Sequence, residues 1–314
     1  MSNGKRTIYT IALAVIIVYI ITFVYHRVAD TEDTGDAEKA ARSICVYEDG
    51  SYRLVDVEEY TVYVLAGMMD MSWGEEMLKT MAIIVRTGIY YQMDNQKNDC
   101  SMGGDISKGI IYESQLSEVR YSHEELTRLW GNQAEHVTHL AESAVLATHG
   151  RVIRFEGKVI MPAYHFVSPG HTVSAEELYG HDIPYLRQVS SDLDRMSDNF
   201  SYIGTYSGDR IKKIFGDMAG EKGGLKVKEA TKSGYAKTID VFGKAVDGYI
   251  FKEKLNLPST NIHIDKQEDG YRIITVGVGD ALGLSIYGAN VLAENNTSCD
   301  EILKYYYTGV DVGP

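Results

Sequence analysis

The chain has 314 residues, 44% of them hydrophobic, with 31 Lys and Arg against 44 Asp and Glu and a formal charge of -13. That length and apolar content suffice for one large domain or two modest ones with a sizeable core. The acidic balance excludes the clustered cations that nucleic-acid binding needs, and three widely spaced cysteines (Cys45, Cys100, Cys299) exclude a CxxC metal or redox motif.

In chain order, the first element is an uncharged stretch, Thr7–Tyr25. As a helix it is about 28 Å long, enough to cross a bilayer core of roughly 30 Å. His26, Arg27, Val28, Ala29 and Asp30 follow it and fit a signal-peptidase site poorly. Lys5 and Arg6 precede it, while Asp30, Glu32, Asp33, Asp36 and Glu38 come after. The positive-inside rule then gives a cytoplasmic tail (1–6), a single-pass transmembrane helix (7–25), an acidic linker (26–44) and an extracytoplasmic domain (45–314).

The exported part opens as a hairpin, SICVYEDGSYRLVDV, turning near Asp49-Gly50. Asp56 with Glu59, and Ser72 with Glu75, have capping-box spacing, which predicts one helix to about Met69 and a second to about Met93. In the second, Met77, Leu78, Met81, Ile84, Val85 and Ile89 recur at helical spacing, so its methionines read as core. Lys79 and Arg86 are seven residues apart and share a face. Ser122 with Glu125 starts another helix, and the helix through AEHVTHLAESAVLATHG ends with Gly150 as its C-cap. RVIRFEGKVIMPAYHF is a hairpin with Glu156-Gly157 at its tip. LKVKEATKSGYAKTIDVFG reads as two strands, NIHIDKQEDGYRIITVGVG as two more, and the C-terminal region as two helices and a short strand. Helices and strands mix without regular alternation, so the class is α+β.

Three stretches carry a family pattern. LAGMMDMSWGEEMLKTMAIIVRTGIY supplies Gly67, Met69, Glu76, Leu78, Lys79, Ala82, Arg86 and Thr87. AYHFVSPGHTVSAEELYGHDIPYLRQV supplies His165, Ser168, Gly170, Thr172, Tyr185, Leu186 and Val189. VGDALGLSIYGANVLAENNTSCDEILKYYYTGV supplies Gly279, Gly283, Ser285, Tyr287, Gly288 and Ala289, and then Ile302, Leu303, Tyr306, Tyr307, Gly309 and Val310. In this order they resemble the SpoIID/LytB family, stage II sporulation protein D. The resemblance implies a membrane-anchored lytic transglycosylase that cuts peptidoglycan glycan strands, with an amidase and a membrane scaffold as partners and no cofactor. One carboxyl group would protonate the glycosidic oxygen and then act as base, help worth about 10²–10⁴-fold.

The family's catalytic glutamate falls at Met68, which carries no proton. Its His falls at Asp280, a Gly at Ala281 and a Gln at Ile286. We therefore expect a degenerate member that binds glycan or organises a wall-remodelling complex. The alternatives are an active enzyme whose acid has moved to Asp280 or Asp70, and an exported domain of unrelated role that kept only the fold. Glu75 and Glu76 are explained by the helix start. The resemblance implies substrate contacts at Lys79, Arg86, Thr87, His165, Ser168, Thr172, Ser285 and Tyr287, with Met68 and Ser285 sharing one groove. His165 and His171 flank a Ser-Pro-Gly turn, but with no cysteine nearby they make no evident metal-ligand set.

Overall fold

The computed structural model describes residues 42–48, 50–95 and 110–314. The expected transmembrane helix 7–25, most of the linker and Cys100 lie outside these residues. No helix among the described residues is long and apolar enough to cross a membrane. Among the described residues the architecture is α+β, in two compact units: residues 42–57 with 110–115, and 58–95 with 116–314.

The first unit is a three-stranded sheet of β1 (Ser43–Glu48), β2 (Ser51–Asp56) and β3 (Ile110–Tyr112) in the order β2-β1-β3. The expected hairpin is present: Glu48 pairs with Ser51, and Gly50 takes φ 79° in the turn. β3 joins β1 in parallel. Ile44, Val46, Val55 and Ile111 are buried, while Tyr47, Tyr52 and Leu54 are exposed.

The second unit begins with α1 (Val57–Met68), whose first residue belongs to the first unit, and α2 (Glu75–Asn95). Every residue of α2 from Met77 to Ile89 except Lys79 is buried. A helix covered on nearly all sides belongs at the centre of a core, and α2 packs against α1, α3 (His123–Trp130) and α4 (Ala134–Ala147). The methionine-as-core reading thus holds for Met77 and Met81. The Ser122–Glu125 capping box forms as expected. The Ser72–Glu75 box does not. Ser72 N donates to Asp70 Oδ1 (2.8 Å), and Leu78 N bonds Gly74 O (3.0 Å), so Gly74 stands where the helix starts. α4 also stops at Ala147, short of Gly150, because the Gly150 N–H is drawn to Glu58 Oε1 (3.1 Å).

Strands β4 (Val152–Phe155) and β5 (Lys158–Val159) form the expected hairpin, with Glu156 and Gly157 both at positive φ (50° and 78°) as a type I′ turn requires. The short β6 (Tyr164–His165) and helix α5 (Ala175–Tyr179) follow. The chain then builds a second core from β7 (Ser201–Tyr206), α6 (Gly208–Phe215), β8 (Leu225–Ala230), β9 (Ala236–Val241), β10 (Lys244–Asp247), α7 (Gly248–Leu255), β11 (Ile262–Gln267) and β12 (Gly270–Val276). Two three-stranded antiparallel sheets, β10-β9-β8 and β11-β12-β7, enclose Ile211, Phe215, Ile239, Phe251 and Ile273. β8, β9, β11 and β12 were expected. β7, β10 and the two short helices were not.

The chain returns to the main core through β13 (Leu284–Ser285), parallel to β6, then α8 (Ile286–Glu294), α9 (Cys299–Tyr306) and β14 (Asp311–Gly313), which pairs with β4. This ending matches the expected two helices and final strand. Cys45 and Cys299 are free thiols.

Candidate functional site

The end of α1 is built for close packing. A Cβ on Gly67 would lie 1.9 Å from the Tyr121 ring, so only glycine admits that ring. Trp130 Nε1 donates to Ala66 O at 2.9 Å, satisfying one of the helix's last carbonyls. Met68, the final helical residue, is half-buried and packs on the main core. That core also buries Leu284 and Ile286, the residues either side of Ser285. Met69 is buried, whereas Asp70 and Met71 are exposed. The backbone N–H of Ser72 on Asp70 holds that carboxyl below its usual range, so at neutral pH it is ionised and has no proton to donate. Asp280 is exposed, and its Oδ1 accepts from Leu282 N at 3.2 Å.

Beside Asp280, Ala281 holds φ 59° at full burial, packed with Val173 and Tyr235. The left-handed turn is kept although glycine is absent. Gly283 (φ 69°) has no such latitude, because a Cβ there would meet Ala163 O at 1.9 Å.

His165 and Ser285 are strand partners on β6 and β13. The His165 Nδ1 meets Leu282 O at 3.1 Å, burial pushes the imidazole pKa down, and Nε2 is buried with no hydrogen-bond partner among the described residues. Asp194 unites the two motifs: Ser168 N (2.8 Å) and Ser285 Oγ (2.8 Å) both donate to its fully buried carboxylate. Ser285 Oγ also accepts from Gly288 N (3.3 Å) as the N-cap of α8. A Cβ on Gly288 would come within 3.0 Å of Tyr306, Ser191 and Asp194, which accounts for the glycine. Thr172 Oγ1 donates to Arg187 O (3.1 Å) and accepts from Val189 N (2.9 Å), locking the segment after the Ser-Pro-Gly turn.

The residues expected to touch substrate therefore divide. Arg86, Thr87, Ser168, Thr172 and Ser285 are 0% exposed and His165 is 4% exposed, so in this structure they support the site from beneath. Arg86 makes five contacts: to both Glu58 oxygens, Thr148 Oγ1, and the carbonyls of Val145 and Arg151. Thr87 Oγ1 donates to Ile83 O and accepts from Ile153 N (3.0 Å). Lys79 does not join Arg86 around the Met68 break. It pairs with Glu75 and Glu76 at the helix start, which pushes its pKa up. Tyr287 is half-buried, its N–H on Phe166 O at 3.1 Å, and Ile286 is a core residue. No group of three or more His, Cys, Asp or Glu among the described residues is placed to hold a metal ion.

Three carboxylates escaped the sequence reading. Two are Asp194 and Glu58, whose bonds are given above. Glu118 is the third: its carboxyl covers Gly88 on α2, where a Cβ would sit 2.1 Å from Oε1, and it accepts a bond from Gln92 Nε2.

Residues 48–155 match the family model described as SpoIID, stage II sporulation protein. Over that stretch the chain is similar to the SpoIID domain. The match spans β2, α1, the Met68 break, α2, β3, α3, α4 and β4. Similarity to SpoIID proteins reaches further. Stage II sporulation protein D of Bacillus amyloliquefaciens is 29% identical over 295 residues, covering 91% of this chain and 85% of its own. Stage II sporulation protein D of Bacillus subtilis (strain 168) is 28% identical over 274 residues, 86% of this chain and 78% of its own. The amidase enhancer of Bacillus subtilis (strain 168) is 23% identical over 236 residues, 53% of this chain and 31% of its own.

Proposed function

We propose that this is a sporulation or wall-remodelling protein that binds peptidoglycan glycan strands, or organises a complex on them, without cleaving them. The observation that carries the reading is Met68: the helix end, its glycine and its aromatic seal are kept, and the one group able to transfer a proton is gone. Asp70, engaged with Ser72, is a poor replacement. Apolar substitution in a groove also removes the desolvation penalty of a polar group. The chain would be anchored by residues 7–25 with its bulk outside the cytoplasm, alongside an amidase and a membrane scaffold. The relative named amidase enhancer supports an amidase partner.

The test is release of anhydro-muropeptides from peptide-free glycan by the purified chain. None above background is expected, with glycan binding retained. Met68→Glu with Asp280→His and Ile286→Gln should restore trace cleavage, because groups acting as a unit are non-additive. Since Ile286 is buried, the pair without Ile286→Gln serves as the folded control. Robust cleavage by the unmodified chain, abolished by Asp280→Asn, would establish the relocated-acid alternative instead. Protease added to intact protoplasts should remove the exported domain; full protection would overturn the topology.

A further inference from the structure

In a chain of charge -13, a recess with free cations stands out. One of about 500 Å³ lies between α5 and the turn joining β8 to β9, lined by Lys232, Lys237, Glu176, Glu177 and Gln188. That volume is within the roughly 300–1,000 Å³ usual for small-molecule sites.

The frame of the recess is fixed. Glu177 on α5 accepts from Ser233 N (2.6 Å) and Ser233 Oγ (3.1 Å) in the turn, and Asn261 Nδ2 donates to Ser233 O (2.9 Å). Partial burial alone would raise the Glu177 pKa, but these bonds outweigh it and keep the carboxylate ionised. Glu177 is thus committed to holding the turn. The other side chains are uncommitted: Lys232, Lys237, Glu176 and Gln188 have no side-chain hydrogen bond or ion pair among the described residues.

Two free ammonium groups, one free carboxylate and one free amide on a preorganised frame specify a ligand. It should carry more carboxylates than amines, and amide groups for Gln188. A simple anion such as phosphate would meet Glu176 as a like charge. We infer that the recess binds a short carboxylate-rich peptide, with Lys232 and Lys237 on its carboxylates and Glu176 on its amine. The stem peptides of the cell wall have this chemistry, and that choice of source rests on the wall-binding reading above. The inference adds a peptide subsite lined by none of the groove residues named above.

The experiment titrates the full-length, detergent-solubilised chain with two probes: free stem peptide and peptide-free glycan strand. Stem peptide should bind more weakly as salt rises. Lys232→Ala with Lys237→Ala should weaken it at least about tenfold, the loss of charge-assisted hydrogen bonds, and leave glycan binding unchanged. Glu176→Gln should abolish the preference for the peptide with a free diamino-acid side-chain amine over the form acetylated at that amine. All three positions are exposed, so the fold is preserved. Glycan binding without peptide binding, or equal peptide binding by the lysine variant, would overturn the subsite and leave the glycan reading intact. Peptide binding without glycan binding would support the subsite and sink the glycan reading.

Discussion

Arg86 offers the sharpest separation between a ligand contact and a structural support. Its guanidinium is 0% exposed and its Glu58 partner's side chain only 17% exposed. Five donor contacts tie the first turn of α1, the middle of α2, the end of α4 and the start of β4. Arg86→Met would leave the Glu58 carboxylate with only the Gly150 N–H among these bonds, and would remove a donor from each of two buried carbonyls. Breaking a buried pair from one side costs about 3–5 kcal/mol, a large share of the 5–15 kcal/mol typical of a folded domain. Arg86→Lys should recover less than half of that, since one ammonium offers three donors and no planar fork. Glu58→Gln with Arg86→Met should be less damaging than Arg86→Met alone, because the carboxylate charge is removed together with its guanidinium partner. The assay is urea denaturation with glycan affinity measured in parallel at permissive temperature. The expected pattern is a large fall in midpoint with glycan affinity unchanged. An unaltered midpoint with lost glycan binding would refute the support role and restore Arg86 as a substrate contact.

Glu118 gives a pH signature. Burial raises its pKa above the ordinary 4.5, so the folded state holds the proton more tightly than the unfolded state, and stability falls as pH rises from about that value. Glu118→Gln keeps an acceptor for Gln92 and should gain stability at neutral pH, the advantage vanishing under acid conditions; parallel stability curves across that range would contradict this. Ser285→Ala removes both the α8 cap and a donor to buried Asp194, and should lower stability by about 2–4 kcal/mol by chemical denaturation, from a lost cap of ~1 and an under-paired buried charge. Gly67→Ala should destabilise by about 1–3 kcal/mol by overpacking against Tyr121, an effect that Tyr121→Ala made alongside it should largely relieve.

What the sequence disclosed was local. The hairpins at Gly50 and Glu156-Gly157, the Ser122 box and the helical spacing of Met77 and Met81 each depend on residues a few positions apart. Their periodicity or turn chemistry is therefore visible in one dimension. The site was less legible because its bonds are long-range. Asp194 reaches Ser168 and Ser285 across 26 and 91 positions, and Arg86 reaches Arg151 across 65. Motif matches singled out Arg86, Thr87, Ser168, Thr172 and Ser285, but a motif carries no burial, and burial decides whether a polar side chain greets a ligand or braces a wall. The Ser72 box failed because Asp70 competes for the same stretch of backbone. The extra strands and helices of the second core were missed because each becomes stable only once its neighbours cover it.

The conformation of Ala281 has a practical corollary. A left-handed backbone disfavours an alanine by roughly 1–2 kcal/mol, and here the turn persists at φ 59° regardless. The curvature must then be dictated by what encloses it, including the bond from Val173 N to Ala281 O at 2.8 Å. A mould imposed from outside does not lapse when the residue within it changes. For protein engineering, the loop that carries position 280 can be treated as a finished casting: new chemistry can be installed there by exchanging side chains, with no need to redraw the main chain.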